Sequence, residues 1–305
     1  MSNQKGVACV TGGTGMVGRK IVKRLLSEGY DVRVLTRGEH RDEPMLSYIS
    51  GDISDQEILH RFLSGADLVF HCAAELHDVS MMRSTNVDAT QRLLEACKPI
   101  PLKYFCFISS AGVIGLTDQI VVDEDTPCNP QNEYEITKSE AEKLVVRYKP
   151  GNNTVILRPT NVIDMDKPGV FSLVMQGGWV NRLKVFIKGG ECAHLVHAQD
   201  VACAATFFIE HEFEKPECFF VSKDDDRLNT VAGVWDALRA AQSGARQGKK
   251  VLHLPYWLPR YLRKLSGRDS NSGNVIYSSE KLTEFGFTFI YGVRSMSQEL
   301  VVKNG

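Results

Sequence analysis

Residues Val7–Gly18 read VACVTGGTGMVG, an apolar run that passes directly into a glycine-rich turn. The run predicts a strand, and the apolar spacing of Met16–Ser27 predicts a helix behind the turn. Gly12 lets the chain reverse tightly, Gly15 lets the backbone approach a pyrophosphate, and Gly18 lets helix and strand pack closely. Free N–H groups and the helix dipole then attract phosphate. The stretch therefore predicts the phosphate-binding turn of a nicotinamide dinucleotide site.

The alternation of strand and helix continues over the first half of the chain. The predicted strands are Val7–Thr11, Val32–Thr36, Leu68–Cys72, Tyr104–Ser109 and Val155–Leu157. The predicted helices are Met16–Ser27, Ile58–Leu63, Val87–Cys97 and Tyr134–Arg147. Continuous apolar strands that alternate with helices indicate an α/β protein with a doubly wound, Rossmann-type parallel sheet.

The pattern weakens after Pro159, where segment 164–195 shows no regular period. Further on, the sequence predicts a helix over 198–210, a strand over 218–222 and a helix over Val231–Ala241. We expect a dinucleotide-binding domain over residues 1–163. Residues 164–305 are expected to form most of a smaller, partly interleaved substrate-binding domain, with 195–222 returning to the first domain.

The composition excludes several classes of protein. Of the 305 residues, 43% are apolar and 24% charged, which is typical of a folded globular chain. The net charge of −1 and the absence of a basic stripe argue against a nucleic-acid partner. No apolar run reaches transmembrane length and no signal-peptide pattern opens the chain, so we expect a cytoplasmic protein without integral membrane contact.

The cysteines and histidines show no metal-site pattern. The eight cysteines form no CxxC pair, which is typical of reduced thiols in a packed core. His194 and His197 lie three residues apart without a cysteine pair or carboxylate cluster beside them. We therefore expect no metal.

The end of the second predicted strand bears on the choice of cofactor. An acidic residue at this point binds the ribose 2′-hydroxyl of NAD, whereas an arginine accommodates the 2′-phosphate of NADP. The strand runs into Thr36 and Arg37 with no acid at its tip. Arg37 therefore favours NADP, while Glu39 close behind it keeps NAD possible.

Tyr134 and Lys138 are four residues apart in a predicted helix, so they share one face. A neighbouring ammonium favours the phenolate, and we expect Lys138 to lower the pKa of Tyr134 enough for acid–base catalysis. Tyr277 and Lys281 have the same spacing, so position must decide. Ser110 ends a predicted strand just upstream of Tyr134, where both side chains can meet one substrate oxygen, whereas Tyr277 lacks such a setting.

Here the chain resembles the extended short-chain dehydrogenase/reductase family, in its epimerase/dehydratase branch. The resemblance covers most of the chain and rests on eight segments in the right order. They are TGGTGMVG at the start, GDISD around Asp52, FHCAAE around Ala73, TNVDAT around Asn86, FISSAGVIG around Ser110, the Tyr134–Lys138 pair, LRPTNV from Leu157 and HLVHAQDVA ending at Ala202.

The resemblance implies roles for these positions. Ser110 would polarise the substrate oxygen, Tyr134 would be the acid–base group, and Lys138 would tune Tyr134 and bind the nicotinamide ribose. Asp52 and Ile53 would contact the adenine end of the cofactor. Asn86 would join the active-site hydrogen-bond network or cap a helix. The expected cofactor-binding residues are Gly12, Thr14, Gly15, Met16, Val17, Arg37, Asp52, Ile53, Ala73, Ala74, Asn86, Tyr134, Lys138, Pro159 and Val162.

Two departures from the family pattern bear on the reaction. Sugar-nucleotide dehydratases carry an Asp–Glu pair after the catalytic Ser or Thr, and this chain has Ala111 and Gly112, which argues against dehydration. Many sugar-nucleotide enzymes place an Arg before the segment HLVHAQD, and residues 190–194 contain none. Arg182, Lys184 and Lys188 are possible substitutes.

The sequence therefore predicts an NAD(P)-dependent enzyme that transfers a hydride between nicotinamide and a secondary alcohol or ketone of a small molecule, with a nucleotide sugar as one substrate class. One alternative is a reductase of an apolar substrate, similar to hydroxysteroid dehydrogenases or flavonol reductases. Another is a non-catalytic NADP sensor. Segment LPYWLPRYLRKL could contact an apolar substrate or a membrane surface, although a packed helix is favoured. A homodimer through Val87–Cys97 and Tyr134–Arg147 is expected from the resemblance.

Overall fold

The structure, a computed structural model, describes residues 5–244, 251–255, 257–258, 261 and 275–304. The strands are β1 Val7–Thr11, β2 Asp31–Thr36, β3 Leu46–Ser50, β4 Leu68–His71, β5 Tyr104–Ile108, β6 Val121–Val122, β7 Asn153–Pro159, β8 Asn161–Ile163, β9 Leu195–His197, β10 Glu217–Val221 and β11 Ile276–Tyr277.

The helices follow the strands along most of the chain. They are α1 Met16–Ser27, α2 Gln56–Leu63, α3 Val79–Arg83, α4 Ala89–Cys97, α5 Glu133–Tyr148, α6 Phe171–Gln176, α7 Gly178–Lys188, α8 Ala198–Phe207, α9 Val231–Ser243, α10 Glu280–Glu284 and α11 Val293–Asn304. A π-helical turn, Ser84–Asp88, precedes α4, and a 3₁₀ turn, Ala111–Ile114, follows β5.

Seven strands form one sheet in the order β10-β7-β5-β4-β1-β2-β3. The pairings between neighbours from β7 to β3 are parallel. The strand order reverses between β1 and β4, which is the topological switch point where doubly wound sheets bind ligands. The predicted Rossmann-type sheet is confirmed.

Buried apolar residues explain why these strands are central. Every residue of β4, β5 and β7 is buried, and a cluster around Phe62, Phe105 and Phe107 fills the space between sheet and helices. Side-chain caps also fix where several helices begin, among them α2 and α5. Asp55 accepts hydrogen bonds from the first turn of α2, and Asn132 accepts one from Glu135 N in α5.

Several elements were not predicted from the sequence, and β3, α6 and α7 show why. Strand β3 was not predicted, because it buries Leu46 alone and its other residues are half-buried or, at Ser50, exposed. Segment 164–195, which showed no period, contains helices α6 and α7. Helix α7 exposes Trp179, Val180 and Leu183, so its apolar residues do not outline a buried face.

The chain divides into two compact units. Residues 1–113, 130–158 and 201–219 form the first unit, which contains the core of the large sheet. Residues 114–129, 159–200 and 220–305 form the second. Within the second unit, β8 pairs with β9, β6 pairs with β11, and Val234, Trp235 and Leu238 of α9 lie in an apolar core.

Asp200 anchors one loop of the second unit. Its fully buried carboxylate accepts hydrogen bonds from the backbone N–H groups of Ile290 and Tyr291, at 2.7 and 3.1 Å.

In the part of the chain that the structure describes, no helix combines the length and apolar character needed to cross a bilayer.

Candidate active site

The strands of the first unit end at one level around the switch point. In the sheet register Thr11 of β1 lies beside Leu35 of β2 and beside His71 of β4, and His71 lies beside Phe107 of β5. Because the strands are parallel, the loops that follow them start along a common edge. This edge carries most of the candidate residues.

The glycine-rich turn has the close contacts that the sequence predicts. Gly12 has φ +64°, and a Cβ at this position would lie 2.7 Å from the backbone nitrogen of Ala73. A Cβ at Gly18 would overlap the Gly12 carbonyl oxygen. Gly15 precedes α1 without a side-chain cap, and the first turn of that helix has no acidic residue. The turn thus keeps N–H groups available for an anion.

These features fit a dinucleotide. A Cβ at Gly15 would meet only the Gly12 carbonyl oxygen, at 3.2 Å, so its outer side is open to a ligand. Thr14 is exposed and Met16 and Val17 are half-buried at the start of α1. Ala73 donates its N–H to Thr11 Oγ1 at 3.3 Å, which holds the residues after β4 against the turn.

The residues expected at the adenine end lie after β2 and β3. Arg37 is exposed, as is Asp52, and Ile53 packs partly against the core. A hydrogen bond from Ser54 and, more weakly, the charge of Arg37 hold the pKa of Asp52 below its ordinary value. The structure therefore places Arg37 near Asp52 and leaves the Arg37 side chain exposed.

The structure brings the side chains of Ser110 and Tyr134 together. The Ser110 hydroxyl forms a hydrogen bond with the Tyr134 phenol, and the same oxygen accepts the N–H of Gly112 at 3.1 Å. Ser110 follows β5, and Tyr134 stands in the first turn of α5 after its Asn132 cap. A strand end and a helix start thus bring the two hydroxyl groups together.

Lys138 is fully buried one turn further along α5. Its Nζ donates to the Ile108 carbonyl oxygen at 2.7 Å and lies 4.1 Å from the centre of the Phe107 ring. Burial lowers the pKa of Lys138 to about 8, although the nearby Glu142 carboxylate opposes this shift. Glu142 in turn makes a buried two-pronged ion pair with Arg158, at 2.7 and 3.0 Å.

The direction of the Tyr134 pKa differs from the expectation. Burial raises the pKa of Tyr134, and the hydrogen bond from Ser110 opposes this effect only in part. The expected lowering by Lys138 is wrong for the protein alone, because the ammonium is directed to Ile108 and Phe107 instead. The spacing put the two residues on one helix face but did not show which partners each side chain would take.

Asn86 lies within the π-helical turn and its side chain is bound at both ends. Its Oδ1 accepts from Glu75 N at 2.7 Å, and its Nδ2 donates to Glu75 O and to Thr137 Oγ1. Of the two roles left open, capping is wrong because Asn86 does not start a helix. Its side chain ties the loop after β4 to helix α5.

The remaining candidates have other settings. Ala74 is half-buried after β4, whereas Pro159 and Val162 belong to the second unit, at the end of β7 and within β8. Tyr277 lies in β11 and Lys281 in α10, so the second Tyr–Lys pair does not share a helix. Most of LPYWLPRYLRKL lies outside the described residues.

Sequence reasoning missed three polar residues of the buried interior. Thr11, His71 and Thr90 are each at most 1% exposed and are linked by hydrogen bonds. A signal was present, because His71 ends a strand that is otherwise apolar, LVFH, and Thr90 stands four residues after Asn86. Among the described residues no group of three or more His, Cys, Asp or Glu side chains is arranged for a metal ion.

Comparison with known families gives a direct match. Residues 8–221 match the model of the NAD dependent epimerase/dehydratase family. Among curated proteins the chain is similar to the uncharacterized protein y4nG of Sinorhizobium fredii, at 30% identity over 65% of this chain and 52% of that one. The aligned region thus spans about half of that relative.

Two further relatives carry names of different reactions. The mouse sterol-4-alpha-carboxylate 3-dehydrogenase, decarboxylating, is 25% identical over 83% of this chain and 72% of its own length. A UDP-glucose 4-epimerase of Lactobacillus helveticus is 34% identical over 45% of each chain. The relatives therefore do not single out one substrate.

Solved structures agree with the fold. Bordetella bronchiseptica WbmH in complex with NAD+ has a TM-score of 0.73 at 20% identity, with 98% of both chains covered. The dTDP-glucose 4,6-dehydratase of Bacillus anthracis in complex with NAD has a TM-score of 0.72 at 20% identity, with 97% of this chain and 96% of that one covered. Since a dehydratase has this fold, the expectation against dehydration is not borne out.

Proposed function

The chain belongs to the NAD-dependent epimerase/dehydratase family, and on that premise we propose that it transfers a hydride between a nicotinamide and a secondary alcohol or ketone. One observation carries the proposal. Ser110 and Tyr134 are hydrogen-bonded to each other, with Lys138 one turn along the same helix, at the edge where the glycine turn begins. This arrangement offers an acid–base pair at the same edge of the sheet as the glycine turn, which begins two strands away.

A bound nicotinamide would supply the hydride chemistry of this reaction, and the protein's own residues handle the proton. Ser110 donates a hydrogen bond to the substrate oxygen and fixes its position. Tyr134 gives its phenol proton to the oxygen when the ketone is reduced, and in the phenolate form it takes the hydroxyl proton when the alcohol is oxidised. We propose that Lys138 binds the ribose and stabilises the charge that develops on Tyr134, through N–H donors of its ammonium other than the one given to Ile108 O.

We propose NADP as the preferred cofactor, with NAD as the other candidate. Arg37 follows β2 with an exposed guanidinium, which suits a 2′-phosphate. Native mass spectrometry followed by denaturation measures whether a dinucleotide co-purifies and whether it carries the extra phosphate. A tightly held NAD would favour an epimerase, and an empty site that takes NADPH would favour a reductase.

We propose nucleotide sugars as the first substrate class to assay, because named epimerases are among the relatives. A second class is supported by the missing Arg at residues 190–194 and by the sterol dehydrogenase relatives, namely apolar alcohols without a diphosphate. Oxidation of a sterol-like alcohol with no turnover of UDP-sugars would select the second class. We further propose that the second unit determines substrate specificity.

Exchange of Tyr134 for Phe tests the catalytic assignment. The variant keeps the ring but cannot accept or donate the proton, so turnover should fall by about 10²–10⁴-fold while cofactor binding stays unchanged. Retained turnover would refute the role of Tyr134. Full loss of turnover with intact binding would also exclude a non-catalytic sensor.

We also propose a homodimer formed through α4 and α5. Native mass spectrometry should then find a particle of about twice the 34.0 kDa chain mass. A monomer at micromolar concentration would contradict this assembly.

A further inference from the structure

A chain of buried hydrogen bonds crosses the first unit at the switch point. Thr11 Oγ1 lies 2.7 Å from His71 Nδ1, and His71 Nε2 lies 2.8 Å from Thr90 Oγ1. Thr90 Oγ1 donates to the Asn86 carbonyl oxygen at 2.7 Å. Asn86 Nδ2 then donates to Thr137 Oγ1 at 3.2 Å. All five side chains are at most 2% exposed.

The protons of this chain have one consistent arrangement. The Thr90 hydroxyl gives its proton to a carbonyl, so it accepts from His71, whose Nε2 must carry the hydrogen. Burial, aided by the charge of Lys138, lowers the pKa of His71 to about 3 and keeps the ring neutral. His71 Nδ1 therefore accepts from the Thr11 hydroxyl, whose oxygen accepts the Ala73 N–H.

The two ends of the chain are functional parts of the first unit. Thr11 immediately precedes the glycine turn, and Ala73 lies within van der Waals reach of Gly12. At the other end Thr137 Oγ1 contacts the Tyr134 carbonyl oxygen at 3.0 Å. The side chain of His71 is also stacked on Phe107, over which Lys138 lies.

We propose that His71 is a positioning residue that sets the cofactor turn relative to the helix carrying Tyr134 and Lys138. The inference rests on the proposed function, since it assigns the turn to a nicotinamide dinucleotide. His71 does this through directional bonds at both ring nitrogens, one to each side of the switch point. The shape of the imidazole ring alone would not fix the turn relative to the helix.

The variants separate hydrogen bonding from packing. His71→Phe keeps a ring of similar size and the stack on Phe107 but removes both hydrogen bonds. Thr90→Val removes the hydrogen bonds of the Thr90 hydroxyl to His71 and to Asn86 O, on the side of α5. Thr90 itself is far along the chain from the glycine turn. Thr154→Val is the matched control, because Thr154 is also buried and, among the described residues, its hydroxyl hydrogen-bonds to Gly151 O alone, at 3.5 Å, outside the chain of bonds.

The dissociation constant of NADPH or NADH is the first readout. His71→Phe and Thr90→Val should each raise it by about tenfold, and His71→Phe should slow single-turnover hydride transfer by a similar factor. Thr154→Val should change neither. A residue that only filled the core would lower the melting temperature and leave both values unchanged.

Amide hydrogen exchange gives a readout that needs no cofactor. Ala73 N–H binds Thr11 and Glu75 N–H binds Asn86, so exchange at both amides should accelerate in His71→Phe and in Thr90→Val. If the wild-type protein binds neither dinucleotide, the proposed function fails. Separately, amide exchange in the variants that is unchanged from wild type would overturn the role of His71. Wild-type affinity and wild-type exchange in both variants would overturn the inference outright.

Discussion

The buried surroundings of Lys138 disfavour its charged form. It is surrounded by β5 and α5, and its ammonium has one carbonyl oxygen and one ring face as close partners. A pKa of about 8 instead of 10.5 corresponds to a cost of about 3 kcal/mol for the charged form in the folded state. The residue that we propose as the ribose-binding group therefore destabilises the fold that carries it.

Exchange of Lys138 for Met should stabilise the protein and abolish turnover. At pH 7 we expect the free energy of unfolding to rise by about 1–3 kcal/mol, because the lost bond to Ile108 offsets part of the gain. The unfolded chain binds the Lys138 proton more tightly than the folded one. The cost is thus fully present below pH 8 and disappears as the pH rises toward 10.5.

Urea unfolding at several pH values measures this difference. The gap between variant and wild type should narrow between pH 8 and 10.5. Lys143→Met, on the same helix but exposed, should change stability little at any pH. A Lys138→Met protein that is less stable than wild type at pH 7 would contradict the assignment.

At the scale of elements, the turn between β1 and α1 uses its glycines for different purposes. Gly18 lies inside the contact between helix and turn, where a Cβ has no room, while Gly15 faces outward. Packing therefore depends on Gly18, while Gly15, three residues earlier, is open to the dinucleotide that we propose.

Two alanine substitutions should separate these purposes. Gly15→Ala should lower cofactor affinity by at least about tenfold with a change in unfolding free energy of less than about 1 kcal/mol. Gly18→Ala should destabilise the fold by about 2–4 kcal/mol, because backbone must move to admit the methyl group. Calorimetric titration and thermal unfolding check both values, and a stable Gly18→Ala protein would refute the packing role.

Sequence patterns were sufficient for elements that bury a continuous or periodic apolar face. They predicted the helices around the sheet, and they predicted that Ser110 and Tyr134 lie close together, as the structure shows. Sequence patterns failed where apolar residues are not buried. This is the case in β3 and in α7, whose Trp179 is 76% exposed. They also could not reveal the pKa direction at Tyr134, since that depends on which partner Lys138 takes in three dimensions.

At the scale of the whole molecule, two buried groups change the free energy of unfolding in opposite directions as the pH falls. The pKa of His71 falls to about 3, so the unfolded chain binds its proton first as pH drops below 6.5 and stability decreases. Burial raises the pKa of Asp200 to about 6, so the folded state binds that proton first. Stability is then gained as pH falls from 6 to 3.8. Each effect amounts to about 3 kcal/mol near pH 4.

Single substitutions should unmask the two effects. Asp200→Asn should make the loss of stability between pH 6 and 4 steeper, whereas His71→Phe should make it shallower. The slope of unfolding free energy against pH is compared, so a constant loss of stability in either variant does not affect the result. Equal slopes in all three proteins would contradict both shifts.

The order of the two units along the chain has a consequence during synthesis. The first unit takes its last piece from residues 201–219, and that piece is bonded far back in the sequence, through Tyr104 Oη to Ala205 O and Asn153 Nδ2 to Phe208 O. A nascent chain that has emerged only to Arg158 still lacks these partners. The ribosome must therefore release the intervening segment 159–200 before the first unit can close, and a growing chain stays open to chaperones and proteases over that interval.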